Sequence, residues 1–143
     1  MPGREFDIVL WGATGATGRR AARHLARRCA ECGHALAIGG RNEAKLQALR
    51  QDLPDAGSPI ALLVGDSHDN AFMEVMSART QVVASTAGPF ALYGSELVAA
   101  CAKNGTHYCD LSAEPQWMRA MIDVHEDEAR ESGARIVNSC GHD

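Results

Sequence analysis

A glycine loop at residues 12–18, Gly12-Ala13-Thr14-Gly15-Ala16-Thr17-Gly18, constrains this chain more than any other feature. It directly follows an apolar run, Phe6 to Trp11, that reads as a buried strand, and it opens a helical pattern at about Ala16. A strand, a tight turn and a helix in that order bring free backbone N–H groups and the positive end of a helix dipole to one point. Such a point suits a diphosphate. Gly12 is expected to permit the turn, Gly15 to let the backbone approach the pyrophosphate, and Gly18 to let helix and strand pack closely. The spacing G-x-x-G-x-x-G departs from the commoner G-x-G-x-x-G, so the strand–loop–helix setting carries the weight. The competing reading is a plain tight turn.

Beyond the loop, strand-like and helix-like patterns alternate. The pattern predicts a helix over 16–32 stopped by Gly33, and a strand over Ala35–Gly39. Asn42 caps a helix carrying Leu46, Leu49 and Leu53, which ends at Pro54 before a loop over 55–59. Further strands are read at 60–64, 81–84, 106–111 and 134–139. The helices between them are read at 69–78, 95–103 and 115–132, the last as one piece or two. Strands separated by helical crossovers pair in parallel. Right-handed crossovers then give an α/β, doubly wound parallel (Rossmann) sheet of order 3-2-1-4-5-6, a single three-layer domain over 1–143. The chain stops at Gly141-His142-Asp143, directly after the sixth strand. A substrate domain is therefore expected to follow in a longer protein.

The second strand ends in Ile38-Gly39-Gly40-Arg41-Asn42. A site for NAD usually has an acid here to grip the ribose hydroxyls, and the first acid in this stretch is Glu43. Arg41 is placed instead to meet the 2′-phosphate of NADP(H), which its planar fork suits, with Asn42 assisting while it caps the helix. Arg19 and Arg20 oppose the helix dipole unless an anion lies nearby; otherwise they belong to a solvated face with Arg23, Arg27 and Arg28. Asp66, after the third strand, either faces adenine or serves a turn. Ala87, Gly88 and Pro89 leave the fourth strand where the strand order reverses, and are expected to line the pyrophosphate and nicotinamide-ribose side. No catalytic residue is assigned. Tyr93 could donate a proton, but position 97 is Leu97 and position 112, four beyond Tyr108, is Ser112, so Tyr-x-x-x-Lys is absent. Asp110, Ser112 and Glu114 could touch substrate; capping of the next helix by Ser112 or Glu114 is preferred.

A net charge of −4 argues against nucleic acid or an anionic membrane as partner. No apolar run approaches the roughly 20 residues that span a bilayer, and Glu5 and Asp7 rule out a signal peptide; a cytoplasmic location is expected. Five scattered cysteines suggest no disulfide framework. Cys29-x-x-Cys32 falls at a helix end, where a thiolate is not stabilised. Cys140 and His142 lack a second metal-spaced pair, so no metal is expected.

Together, G-A-T-G-A-T-G at 12–18, G-G-R-N at 39–42, A-G-P-F at 87–90, Y-G at 93–94, N-G-T-H-Y-C-D-L-S at 104–112, E-P at 114–115 and the closing S-C-G-H-D resemble the NADP-binding domain of saccharopine dehydrogenase-like oxidoreductases. Ala113 replaces a glycine typical of that family, and His142 a phenylalanine. The resemblance implies a two-part enzyme: this cofactor domain and a following α+β domain that holds a small-molecule substrate. It does not imply saccharopine itself; the branch includes members likened to trans-acting enoyl reductases in lipid synthesis. An NADP(H)-dependent oxidoreductase is the leading expectation. The alternatives are a non-catalytic NADP(H) sensor and an interaction module with a vestigial loop. A homodimer is left open.

Overall fold

The period of two along the first strand sets the frame of the molecule. In β1 (Phe6–Trp11), Val9 and Trp11 pack into one hydrophobic cluster while Leu10 packs into another, as side chains alternating across a sheet must. The computed structural model describes residues 3–54 and 59–141; part of the loop expected at 55–59, and His142 and Asp143 of the closing motif, lie outside them. Its strands β1, β2 (Leu36–Gly40), β3 (Ala61–Val64), β4 (Thr80–Ser85), β5 (His107–Asp110) and β6 (Ile136–Val137) form one parallel sheet of order β3-β2-β1-β4-β5-β6. This is the doubly wound order read from the sequence.

Two helices cover one face. Ala22 and Ala26 of α1 (Ala16–Cys32) and Leu46 and Leu49 of α2 (Glu43–Asp52) bury Leu10 and Ile38. On the other face, Met73 and Met76 of α3 (Asn70–Ala78), Leu97, Val98 and Cys101 of α5 (Ser95–Asn104) and Trp117 of α6 (Pro115–Ser132) bury Val9, Ala37, Val83 and Tyr108. The segment read as a loop after β4 contains a further single turn, α4 (Phe90–Tyr93). Helix α6 is one unbroken element of 18 residues. No helix among the described residues is long and apolar enough to cross a membrane.

Several element ends differ from the sequence reading by a residue or more, and three of them show their local setting. Strand β4 starts one residue early, with Thr80 buried. Thr106 stays out of β5: its N–H goes to the Cys101 carbonyl and its hydroxyl to the Ser77 carbonyl at 2.6 Å. Strand β6 is only two residues long, because the next stretch turns toward Asp110. The Asn138 amide, the Ser139 N–H and the Cys140 N–H donate to the carboxylate or carbonyl of that residue.

The opposite end of the sheet is closed by one guanidinium. Arg4 Nη1 donates to the carbonyls of Ser77 at 3.0 Å and Thr80 at 2.6 Å and to the Thr106 hydroxyl, while Nη2 donates to the Asn104 carbonyl at 2.7 Å. Two of these acceptors, the Ser77 and Asn104 carbonyls, sit at the ends of α3 and α5, where backbone carbonyls have no partner within the helix. Replacing Arg4 with Leu removes a charged donor from all of them, and only the Ser77 carbonyl keeps the Thr106 hydroxyl, so Arg4→Leu is expected to lower unfolding free energy by about 1–3 kcal/mol in a denaturant titration.

Candidate dinucleotide site

The carboxyl ends of β1 to β4 open onto a cleft of about 250 Å³. Its floor is the glycine loop. Gly12 has φ +83°, and a Cβ there would stand 2.8 Å from the Ala87 backbone nitrogen, so the β1 and β4 loops touch backbone to backbone. Thr86 holds them together: its N–H donates to the Trp11 carbonyl at 2.9 Å and its hydroxyl to the Gly12 carbonyl at 3.0 Å. A Cβ on Gly18 would fall on the Gly12 carbonyl oxygen. The close approach that Gly18 permits is therefore to the loop itself. At Gly15 the nearest atom to such a Cβ is 3.6 Å away, so a methyl would fit there in ordinary contact. Gly15 is the N-cap of α1, with no side-chain cap and no acid in the first turn. The leading N–H groups of that turn have no partner within the helix.

Seven of the residues expected to bind cofactor line the cleft: Gly12, Thr14, Gly15, Arg41, Asp66, Ala87 and Gly88. Six do not. Ala13 is fully buried, with its N–H on the Gly39 carbonyl at 3.1 Å. Ala16, Thr17 and Gly18 form the first turn of α1, behind the loop. Asn42 caps α2, accepting from Lys45 N–H at 3.0 Å, and Pro89 is the N-cap of α4, following a cis peptide bond from Gly88.

Arg41 is exposed at the end of β2 and has no carboxylate partner among the described residues. Arg19 folds back on the loop, its Nε donating to the Thr14 carbonyl at 3.1 Å. Arg20 stays on the exposed face with Arg23, Arg27 and Arg28. Asp66 lies at the cleft and in a turn at once: one carboxylate oxygen accepts from His68 N–H at 2.8 Å. Capping of α3 falls to Asp69, which accepts from Phe72 N–H at 3.0 Å.

The remaining lining residues were not assigned to cofactor from the sequence. Trp11 closes the cleft from below, its Nε1 donating to Ser67 Oγ at 3.1 Å and its ring 5.8 Å from that of Phe72. A Cβ on Gly39 would come within 2.7 Å of the Trp11 ring, so the indole packs against the second strand where it has no side chain. Position alone could have flagged Trp11, since it is the last strand residue before the loop. Thr86, His68 and Tyr93 complete the wall; nothing in the pattern of the chain singles out the first two.

The polar residues after β5 do other work. Asp110 is buried and accepts from Tyr108 OH at 2.7 Å, Ser112 Oγ at 2.7 Å, Ser112 N–H at 3.0 Å, Asn138 Nδ2 at 2.9 Å and Ser139 N–H at 3.0 Å. Burial above all, then the Asp110 charge, pushes the Tyr108 phenol far above its usual range, so its hydroxyl keeps its proton, which is committed to Asp110. Neither Ser112 nor Glu114 caps the following helix with its side chain, contrary to expectation. Glu114 holds the N-cap position of α6, but its carboxylate reaches back to accept from Phe90 N–H at 2.7 Å and Ala91 N–H at 3.1 Å. It thus caps α4, the element absent from the sequence reading. Pro115 opens α6 and has no N–H to satisfy. A second groove, of about 310 Å³, lies between α5, α6 and β6, away from the glycine loop. No group of three or more His, Cys, Asp or Glu residues able to hold a metal occurs among the described residues.

The two inner glycines should separate experimentally. Gly18→Ala drives a methyl into backbone and is expected to lower stability by about 2–4 kcal/mol, whereas Gly15→Ala should stay within about 0.5 kcal/mol of the parent. Thermal unfolding of both variants checks the contrast.

Residues 8–137 match the family described as the saccharopine dehydrogenase NADP binding domain. A protein of Mycobacterium ulcerans named trans-acting enoyl reductase is 44% identical over 140 residues, covering 98% of this chain and 33% of that protein. The chain thus spans about a third of the length of the curated relatives it matches. Among solved structures, apo saccharopine dehydrogenase (L-Glu forming) from Saccharomyces cerevisiae superposes with a TM-score of 0.72 at 20% identity, over 95% of this chain and 27% of that one. AtPrR2 with NADP+ and (+)pinoresinol does so with a TM-score of 0.60 at 16% identity, over 95% and 49% of the two chains. At those identities the structural likeness establishes the shared fold, and the family match goes further: this chain belongs to the saccharopine dehydrogenase NADP-binding domain family.

Proposed function

We propose that this chain is the cofactor-binding part of an NADP(H)-dependent oxidoreductase, and that it presents the nicotinamide to a substrate held by a further part of the protein. The observation that carries the reading is the meeting, in one cleft, of an uncapped helix N-terminus behind a glycine loop and an arginine with no carboxylate partner among the described residues. Both features favour phosphoryl groups.

In this reading the pyrophosphate lies over Gly12, Thr14 and Gly15, and receives hydrogen bonds from the first turn of α1, where Ala16, Thr17 and Gly18 supply N–H groups. Ala13 acts from behind, tying the loop to β2. Arg41 takes the 2′-phosphate, and Asn42 holds the start of α2 beside it. Asp66 keeps one carboxylate oxygen for the adenine amine, since its other is engaged by His68 N–H. Ala87, Gly88 and Pro89 have small or fixed side chains that leave room for the nicotinamide ribose. When bound, the nicotinamide supplies or accepts the hydride. The names of the relatives, trans-acting enoyl reductase, support reduction of an enoyl carbon–carbon double bond as the overall reaction.

Arg41→Ala is the direct test. It should weaken NADPH binding by about 1.5–3 kcal/mol, the worth of a charge-assisted contact, and leave NADH binding nearly unchanged, as read by titrating nicotinamide fluorescence. Equal loss for both dinucleotides would refute the assignment.

A further inference from the structure

His68 stands in the cleft with no role in the reading above. Its ring is about half exposed and lines the same wall as Arg41, Asp66 and Tyr93. Three elements hold it. Its backbone N–H is on Asp66 Oδ1 at 2.8 Å, its Nδ1 lies 3.3 Å from Glu96 Oε1 of α5, and its ring lies 5.5 Å from that of Tyr93 in α4. The charged and titratable groups around it are Asp66 and Asp69 on its own loop, Tyr93 from α4, Glu96 from α5, and Arg41 in the same cleft.

A carboxylate oxygen can only accept, so the Glu96 contact places a proton on Nδ1. In the neutral ring that leaves Nε2, on the far side from Glu96, as an acceptor, which repels a phosphoryl oxygen. Protonation turns Nε2 into a donor and the ring into a cation. Imidazole is the side chain that makes this change between about pH 5 and 8. An exposed His–Glu pair that only decorates the surface would contribute little and would not sense a ligand.

We propose that His68, oriented by Glu96, is a second cationic contact for a phosphoryl group of the dinucleotide and engages only when protonated, so that its contribution to cofactor affinity rises as pH falls. The proposal rests on the cleft being the dinucleotide site. The sign follows from linkage: an anionic ligand favours the protonated ring, so the protonated ring favours the ligand. Arg41 supplies a charge that does not change with pH, and His68 one that does. The 2′-phosphate takes up a proton of its own near pH 6, which weakens its binding in acid. The informative quantity is therefore the ratio of affinities between two proteins for the same ligand at the same pH.

The experiment titrates the chain, His68→Gln and Glu96→Gln with NADP+ and with NAD+ by calorimetry at several pH values between about 8 and 6. Circular dichroism confirms that each variant is folded. The affinity of the parent relative to His68→Gln for NADP+ should be near one at the alkaline end and rise to roughly ten-fold at the acid end, the scale of a charge-assisted hydrogen bond. Glu96→Gln should show a smaller rise, because its amide can hold the ring in either orientation. The same rise with NAD+ would assign the contact to the pyrophosphate, and a rise confined to NADP+ would assign it to the 2′-phosphate; both support the proposal. A ratio that stays constant across pH overturns it, even if His68→Gln binds more weakly throughout. If the parent binds neither dinucleotide at any pH, the assignment of the cleft fails, and this proposal with it.

Discussion

Everything at the carboxyl edge of the sheet depends on how closely the backbone of the glycine loop is approached from two sides. Ala87 of the β4 loop meets Gly12 from one side, and the first turn of α1 meets the Gly12 carbonyl through Gly18 from the other. Interiors packed at crystal-like density have no room for two extra methyl groups at such a place. The contact fixes where α1 begins, and so where its free N–H groups point. It also joins the first half of the sheet to the second, since β1 and β4 are neighbours in the strand order.

An acidic protein that binds a polyanion needs its positive potential to be local. The chain carries −4 overall, so the positive groups at the cleft must act at short range. At physiological ionic strength charges are screened over about 8 Å. The field at the cleft is therefore set by Arg41, the α1 terminus and the groups around His68, and hardly by the sum over the molecule. Asp66 adds negative charge there, with one oxygen committed to the turn.

Two carboxylates near the site show how polar groups are spent on shape. Asp110 gathers five donors from four residues and pulls the chain after β6 across the end of β5. Glu114 reaches between elements to cap α4, which sets Tyr93 in the wall. No buried side-chain nitrogen or oxygen among the described residues lacks a partner. Charged acceptors of this kind make stronger hydrogen bonds than neutral ones, which suits loops that must stay in place with few apolar contacts of their own.

Strand order, helix placement and the glycine loop were legible in the chain because they rest on local periodicity and on residues with unique backbone freedom. The pattern of Val9, Leu10 and Trp11 and the stop at Gly33 contain that information within a few residues of each other. The place of Arg41 at the cleft was legible too, because the end of the second strand lies a set distance along the chain from the loop. The partners of Glu114 and Asp110, the turn at α4, the shortening of β6 and the setting of His68 between Glu96 and Tyr93 were not. Apart from the Tyr108 and Ser112 contacts of Asp110, two residues away, each of these joins groups 20 to 30 residues apart, and hydrogen bonds of that reach exist only once the sheet has brought the carboxyl ends of its strands to one edge. The sequence alone determined which groups could bind a dinucleotide; the tertiary structure decided which face the cleft and which hold its walls, because that choice depends on direction and not on order along the chain.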